Sequence, residues 1–207
     1  MAAAEYRSCA RTAVKVSDFL TYRRSHVSNR DMTATIQDAI AFAKDRHQTQ
    51  KYADQPYEFH LARVAQKLSM YGFTDAIFQI AAWLHDTIED TDTTLAEIRE
   101  RFGYDVNALV WCVTGVGENR KIRNQSIAEK LFLFPLACPL KAADRLVNHE
   151  TSICDPGKHG EPSLKHILMY LNERTKFEGM VKDHIPPAMW EELQRQYARM
   201  EEIAKLN

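Results

Sequence analysis

The segment Leu84-His-Asp-Thr-Ile-Glu-Asp-Thr91 packs an imidazole and three carboxylates into little more than one helical turn. His85 and Glu89 stand four apart, as do Asp86 and Asp90, so on a helix they form two adjacent rows along one flank. Three anions in the last turn of a helix face the negative end of its dipole, each disfavoured by about 0.3–1 kcal/mol, and such a pattern calls for a cation. A solvated acidic helix end is the competing reading. A fourth carboxylate changes the balance. In Leu140-Lys-Ala-Ala-Asp-Arg-Leu-Val-Asn148, the apolar residues Leu140, Ala143 and Val147 put Asp144 on the buried side of its helix. An ionised carboxylate there needs a metal or a strong donor, because burying it unpaired costs several kcal/mol. Lys141 and Asn148 lie along the same flank. His60, in Gln55-Pro-Tyr-Glu-Phe-His60, is a further candidate ligand. Two imidazoles and two carboxylates from three segments make a mixed nitrogen and oxygen donor set, suited to Mn²⁺ or Fe and less diagnostic of Zn²⁺.

The elements that must position these groups read as helices almost throughout. No segment alternates with period two for long enough to specify a sheet, so the expected fold is all-α. Ile36, Ile40 and Ala43 mark a first core helix from Thr33 or Thr35 to His47, followed by a polar loop over residues 48–56. Leu61, Val64, Ala65 and Leu68 mark a second helix that stops at Gly72. Ile77, Ile80, Ala81, Leu84 and Ile88 mark a third, which carries the acidic block. Thr94-Leu-Ala-Glu97 matches a capping box, and Gly103 closes the short helix that it opens. Another helix runs through Val113 to Gly115-Val-Gly117. Two glycines around a valine, with no preceding strand and no following Gly-Lys-Ser/Thr, do not make a phosphate loop. Further helices fit residues 124–133, 136–149, 163–177 and 187–205, the last opened by Pro187. Trp83, Trp111 and Trp190 read as core residues, and His47 as a helix-end residue rather than a ligand. His149, His159, His166 and His184 have no partner at metal spacing and read as surface or structural.

Composition narrows the function classes. The 207 residues suit one domain, read here as residues 32–207 behind an N-terminal extension at 1–31. Lys and Arg number 27 against 28 Asp and Glu, and a net charge of −1 argues against a general nucleic-acid binder. No apolar run is long enough to span a membrane. Cys9, Cys112, Cys138 and Cys154 lie far apart, without zinc-site spacing or the density of a secreted disulfide scaffold, which fits a reducing cytoplasm. Any nucleotide chemistry must then use a local basic patch. Arg120, Lys121 and Arg123 form the densest one after the N-terminal segment, against the ordinary reading of a charge run as solvated surface.

The ordered blocks Ala43-Lys-Asp-Arg-His47, Gln55-Pro-Tyr-Glu-Phe-His60-Leu-Ala-Arg-Val-Ala65, Leu84 through Asp92, Thr94 through Gly103, and Lys141 through Asn148 span about half of the chain. In this order they resemble the HD superfamily of metal-dependent phosphohydrolases, and more narrowly the hydrolase domain of RelA/SpoT-type proteins and the small alarmone hydrolases. The resemblance implies a compact helical bundle in which His60, His85, Asp86 and Asp144 hold one divalent metal, Mn²⁺ ahead of Fe, Zn or Mg. It implies that Glu89 and Asp90 handle the attacking water, and that the substrate is (p)ppGpp or its adenosine analogue (p)ppApp. Lys51, Lys141, Arg145 and Asn148 match positions near the nucleotide or its phosphates. Arg120 and Lys121 are candidates for the pyrophosphate, and Tyr170 for ribose or base.

Three departures stand out. The loop over residues 48–55 has one lysine and no glycine where the family is Gly-rich and basic. Leu61 replaces the usual proline after the ligand histidine, and Val147 replaces a common histidine. An HD phosphohydrolase of another nucleotide or phosphodiester is the first alternative. A non-catalytic metal-stabilised module is the second, which the Glu89-Asp90 pair argues against. The chain length leaves no room for the synthetase domain of long RelA/SpoT proteins, so no alarmone synthesis is expected.

Overall fold

The computed structural model describes residues 34–154 and 160–207; the expected extension at 1–31, with Cys9, and the histidine at 159 lie outside them. Helix α1, Ile36–His47, opens on Thr35, whose side chain accepts from the Asp38 amide at 3.1 Å while the Asp38 carboxylate accepts from the Thr35 amide at 2.7 Å. This reciprocal pair satisfies two donors that the first turn leaves unpaired. The polar loop after α1 holds a two-residue antiparallel ladder, β1 (Lys51–Tyr52) against β2 (Gln55–Pro56), turned at Ala53 with φ 55°. Two paired residues carry no readable alternation, and the all-α expectation stands apart from this hairpin.

Helix α2, Glu58–Met70, ends on Gly72 as expected. The Phe73 amide donates to the Leu68 carbonyl and the Gly72 amide to the Ser69 carbonyl, with Gly72 at φ 89°. Buried Phe73 and buried Leu68 complete this left-handed cap.

The third helix departs from expectation. Helix α3, Ala76–Leu84, stops before the acidic block, and a separate turn α4, Thr87–Asp90, follows. Polar side chains take the carbonyls at the break: Thr87 Oγ1 donates to the Leu84 carbonyl at 2.7 Å and His85 Nδ1 meets that of Ala82 at 2.8 Å. The three carboxylates therefore sit at and beyond a break, and not on one continuous C-terminal turn.

Helix α5, Leu95–Val113, is kinked at Gly103, whose φ 85° and ψ 172° are open to glycine alone without strain. The expected capping box is half formed. Thr94 accepts from the Glu97 amide, but the Glu97 carboxylate turns to Arg46. Helix α6, Arg120–Leu133, starts one turn earlier than expected because the Asn119 side chain caps it, accepting from the Ile122 amide at 3.1 Å. After a 3₁₀ turn come α7 (Cys138–Ile153), α8 (Leu164–Val181) and α9 (Pro187–Leu206).

The core lies where α2 packs on α3 and α7, α3 on α5, and α7 on α8 and α9. Trp83 and Trp190 pack against it half-buried. Trp111 corrects the reading of the tryptophans as core: it lies on the outer face of α5, with the Lys130 ammonium 3.9 Å from its ring centre.

His149 is structural, as expected, but it is fully buried. Its ring lies 4.9 Å from Tyr170 and 4.8 Å from Tyr197, and neither nitrogen has a hydrogen-bond partner among the described residues. Burial, reinforced by Arg145, pushes its pKa well below the usual histidine value. The unfolded chain thus binds this proton first as pH falls, and folded-state stability is lost below about pH 6.5. His149→Phe is expected to flatten the fall in melting temperature between about pH 7 and 5 relative to wild type.

Candidate active site and metal centre

Because α2 packs on both α3 and α7, His60 from α2, the His85-Asp86 pair from the α3/α4 break and Asp144 from α7 point into one place. His60 Nε2 lies 3.3 Å from Asp86 Oδ2 and 3.4 Å from Asp144 Oδ1. His85 Nε2 lies 3.0 Å and 3.8 Å from the same two atoms. His60, His85 and Asp86 can each offer a ligand atom to a single ion.

The Ala82 carbonyl can only accept, so His85 carries a proton on Nδ1 and turns Nε2 inward. That buried atom has no hydrogen-bond partner and faces a carboxylate oxygen. Lone pairs on these oxygens and nitrogens would repel without a positive centre among them, supplied by a proton on an imidazole or, in its place, by a divalent ion suited to this donor set. Burial alone would lower the His85 pKa, yet Asp86 and Asp144 push it well above the usual value. His60 is likewise raised against its burial. Asp86 and Asp144, although buried, are held well below the carboxylate range, Asp86 first by His85 and Asp144 first by Lys141.

Two tyrosines without an assigned role brace this cluster. The Tyr57 hydroxyl lies 2.8 Å from Asp86 Oδ2 and 2.7 Å from Asp90 Oδ2, and its ring stacks on His47 at 4.3 Å. His47 is the last residue of α1, as read, and its Nδ1 meets Gln50 Oε1 at 2.9 Å. Tyr52 stacks on His60 at 4.4 Å and donates to Asn148 Oδ1 at 2.8 Å. Asn148 in turn donates to Asp144 Oδ1 at 2.5 Å, and Lys141 Nζ to Asp144 Oδ2 at 2.9 Å.

Glu89 opens toward solvent and accepts from the Gly115 amide. Partial burial raises its pKa, against the lowering by Lys141 and by that amide. Asp144, Glu89 and Lys141 also line a cleft of about 140 Å³ together with Arg120, Arg123 and Arg145. Arg145 is nearly buried between the rings of Tyr170 and Phe177, at 4.6 and 4.4 Å. Tyr170 lines the cleft, but its ring is largely covered and also lies 5.6 Å from the Arg120 guanidinium.

Two expected substrate residues lie elsewhere. Lys121 is exposed and does not line this cleft, since on a helix its side chain leaves at about 100° from that of Arg120. Lys51 is exposed on the hairpin, where alternation turns Tyr52 and not Lys51 toward His60. Sequence reasoning gave no role to Tyr52, Tyr57, Asn124 or Glu173. Tyr57 stood inside a recognised block and could have been found there; the others depend on distant pairing.

A histidine-aspartate pair at a helix break, met by a histidine and an aspartate from two packed helices, defines an HD-domain phosphohydrolase, a class that uses a divalent metal. The HD-domain family model matches residues 39–131, which include His60, the His85-Asp86 pair and Glu89-Asp90 and stop before Asp144. The mouse guanosine-3′,5′-bis(diphosphate) 3′-pyrophosphohydrolase MESH1 is 37% identical over 150 residues, covering 69% of this chain and 84% of the mouse protein. An Aquifex aeolicus guanosine-3′,5′-bis(diphosphate) 3′-pyrophosphohydrolase is 44% identical over 122 residues, which are 56% of this chain but 17% of that longer protein. In fold, a metazoan SpoT orthologue superimposes with a TM-score of 0.64 at 23% identity, over 87% of this chain and 98% of that one. The chain belongs to the HD-domain family, as a homologue of the MESH1-type pyrophosphohydrolases and of the SpoT and Rsh hydrolase domains. Among the described residues no helix is long and apolar enough to cross a membrane.

Proposed function

We propose that this chain hydrolyses guanosine 3′,5′-bis(diphosphate) to GDP and pyrophosphate, with one Mn²⁺ held by His60, His85, Asp86 and Asp144. The observation that carries this reading is the meeting of His60, His85 and Asp86 beside a cleft that holds four cations, Arg120, Arg123, Lys141 and Arg145. The 3′-pyrophosphohydrolase activity for which the mouse and Aquifex relatives are named supports it. A bound divalent ion supplies positive charge that polarises a phosphoryl oxygen and makes nearby water more acidic.

The side chains do the rest. Glu89 removes a proton as water oxygen bonds to the phosphorus on the 3′ oxygen; the bond from phosphorus to that oxygen breaks, and the oxygen takes up a proton as pyrophosphate departs. Tyr57 orients Asp90 beside this water and fixes Asp86. Lys141 and the arginines offset the charge that builds on the transferring group. The reading assigns the enzyme to a reducing cytoplasm, in keeping with free Cys112, Cys138 and Cys154.

The test is an assay with Mn²⁺ on ppGpp, ppApp, ordinary nucleotides and a phosphodiester, resolving pyrophosphate from orthophosphate. Equimolar GDP and pyrophosphate from ppGpp are expected. Orthophosphate release, or turnover of ordinary nucleotides alone, overturns the assignment, and the ppApp arm sets the base preference. Arg123→Ala is expected to raise KM for ppGpp about fivefold, as loss of a charged contact does, while Lys121→Ala stays within about twofold.

A further inference from the structure

Glu173 on α8 stands at the back of the arginine wall. Its Oε1 accepts from Arg120 Nε at 2.6 Å and from Asn124 Nδ2 at 2.9 Å; its Oε2 accepts from Arg120 Nη2 and from Arg145 Nη1, both at 3.0 Å. Four donors from α6 and α7 thus converge on one carboxylate. All three partners line the cleft and Glu173 does not. The acid is therefore placed behind the cations, where it sets their direction without presenting its own charge to an incoming anion.

The geometry leaves little freedom. Two parallel hydrogen bonds between a guanidinium and a carboxylate fix the plane of the guanidinium as well as its distance. Arg120 springs from the first turn of α6, its side chain is 44% exposed, and without a tether it would sample many rotamers. Arg145 is held from three sides, by Tyr170, Phe177 and Glu173. Among the described residues, Arg120 Nη1 and Arg145 Nη2 keep no hydrogen-bond partner. One anion between two guanidiniums leaves the group net positive, so the wall still attracts a phosphate while its members no longer repel each other freely.

We propose that Glu173 is a positioning residue for a diphosphate subsite: it touches no substrate, and acts by aiming Arg120 and Arg145 across the cleft. This deepens the reading of the cleft as the seat of a nucleotide 3′-diphosphate and rests on it for the identity of the substrate. The chemistry recognised is a diphosphate monoester or free pyrophosphate, bound through guanidinium forks.

The test is a double-substitution cycle on wild type, Glu173→Gln, Arg120→Ala and the pair, read in two ways. Binding of inorganic pyrophosphate is followed by titration calorimetry, and KM and kcat are measured with ppGpp. Glu173→Gln is expected to weaken pyrophosphate binding and raise KM about tenfold with kcat within about twofold. The pair should be weaker than Arg120→Ala by about threefold at most and not by about tenfold, since only Arg145, which Tyr170 and Phe177 also hold, is then left for Glu173 to aim. Should Glu173→Gln fail to fold, as judged by circular dichroism and melting, Glu173→Asp takes its place. It keeps the charge beside Arg145 but is one methylene too short to span both arginines, and about threefold weaker binding is expected. Unchanged pyrophosphate affinity in the folded variant, or effects of the two substitutions that multiply, overturns the positioning role. A wild type that binds pyrophosphate with the expected coupling yet leaves ppGpp intact overturns the substrate reading and upholds Glu173.

Discussion

Asp86→Ala is expected to leave the protein folded, strip it of its divalent ion and lower turnover of ppGpp by at least about 10³-fold, because the ion's several kcal/mol of transition-state stabilisation go with it. Asp86 Oδ2 is the atom on which the site converges. It lies within 3.3 Å of both imidazole Nε2 atoms and shares the single Tyr57 hydroxyl proton with Asp90. Its removal leaves His60 and His85 facing Asp144 alone, and Asp144 already neutralises Lys141 at 2.9 Å. Stability should fall while the fold is kept, since the substitution removes the anion that His60 and His85 face and leaves those buried groups without it. Asp86→Asn keeps the shape and the hydrogen bond to Tyr57 but loses the charge, so partial loading at high Mn²⁺ is expected there. Metal content by elemental analysis, beside turnover, checks both. A fully loaded and active Asp86→Ala protein would sink the metal assignment.

How far such a site is legible in sequence depends on what places each group. The ligand candidates His60, His85, Asp86 and Asp144 were readable because each rides at the edge of an apolar stripe, and stripes that pack together carry their edges to one place. Gly72 and Gly103 were readable because the backbone there needs positive φ. The break after Leu84 was not, since periodicity runs on through Ile88 and only the choice of carbonyl partners by Thr87 and His85 interrupts the helix. Glu173 was invisible for a different reason: its partners Arg120 and Arg145 lie 53 and 28 residues away, and nothing local distinguishes it from any glutamate on a solvated helix face. The Gly115 amide that holds Glu89 is a backbone donor, which no residue type announces. The misplaced α6 start has a physical cause of the same kind. Asn119 caps a charged turn whose amphipathic stripe begins only later.

Glu89→Gln is expected to separate catalysis from metal binding, retaining the ion and the substrate KM while lowering kcat by about 10²–10⁴, the usual contribution of a positioned general base. Two carboxylates compete for that role, and their surroundings tell them apart. Asp90 lies 2.7 Å from the Tyr57 hydroxyl and 3.4 Å from the Gln50 amide, so its lone pairs are partly committed and its position is braced. Glu89 has one hydrogen-bond donor among the described residues, the Gly115 amide on Oε1, which leaves Oε2 free to take a proton. Partial burial raises its pKa above the ordinary value of 4.5, and a base of raised pKa accepts a proton more readily. Only the ionised form acts, so wild-type kcat should climb with pH through that raised pKa and level off above it. In Glu89→Gln the climb should vanish along with most of the rate, because an amide does not titrate in this range. Asp90→Asn should keep the climb at reduced amplitude, since it disturbs the orientation of the water and not the group that takes its proton. If Glu89→Gln instead loses the ion, Glu89 is a ligand and not the base. If Asp90→Asn abolishes the pH dependence while Glu89→Gln keeps it, the two carboxylates exchange roles, and the Gly115 amide then serves to hold a spectator.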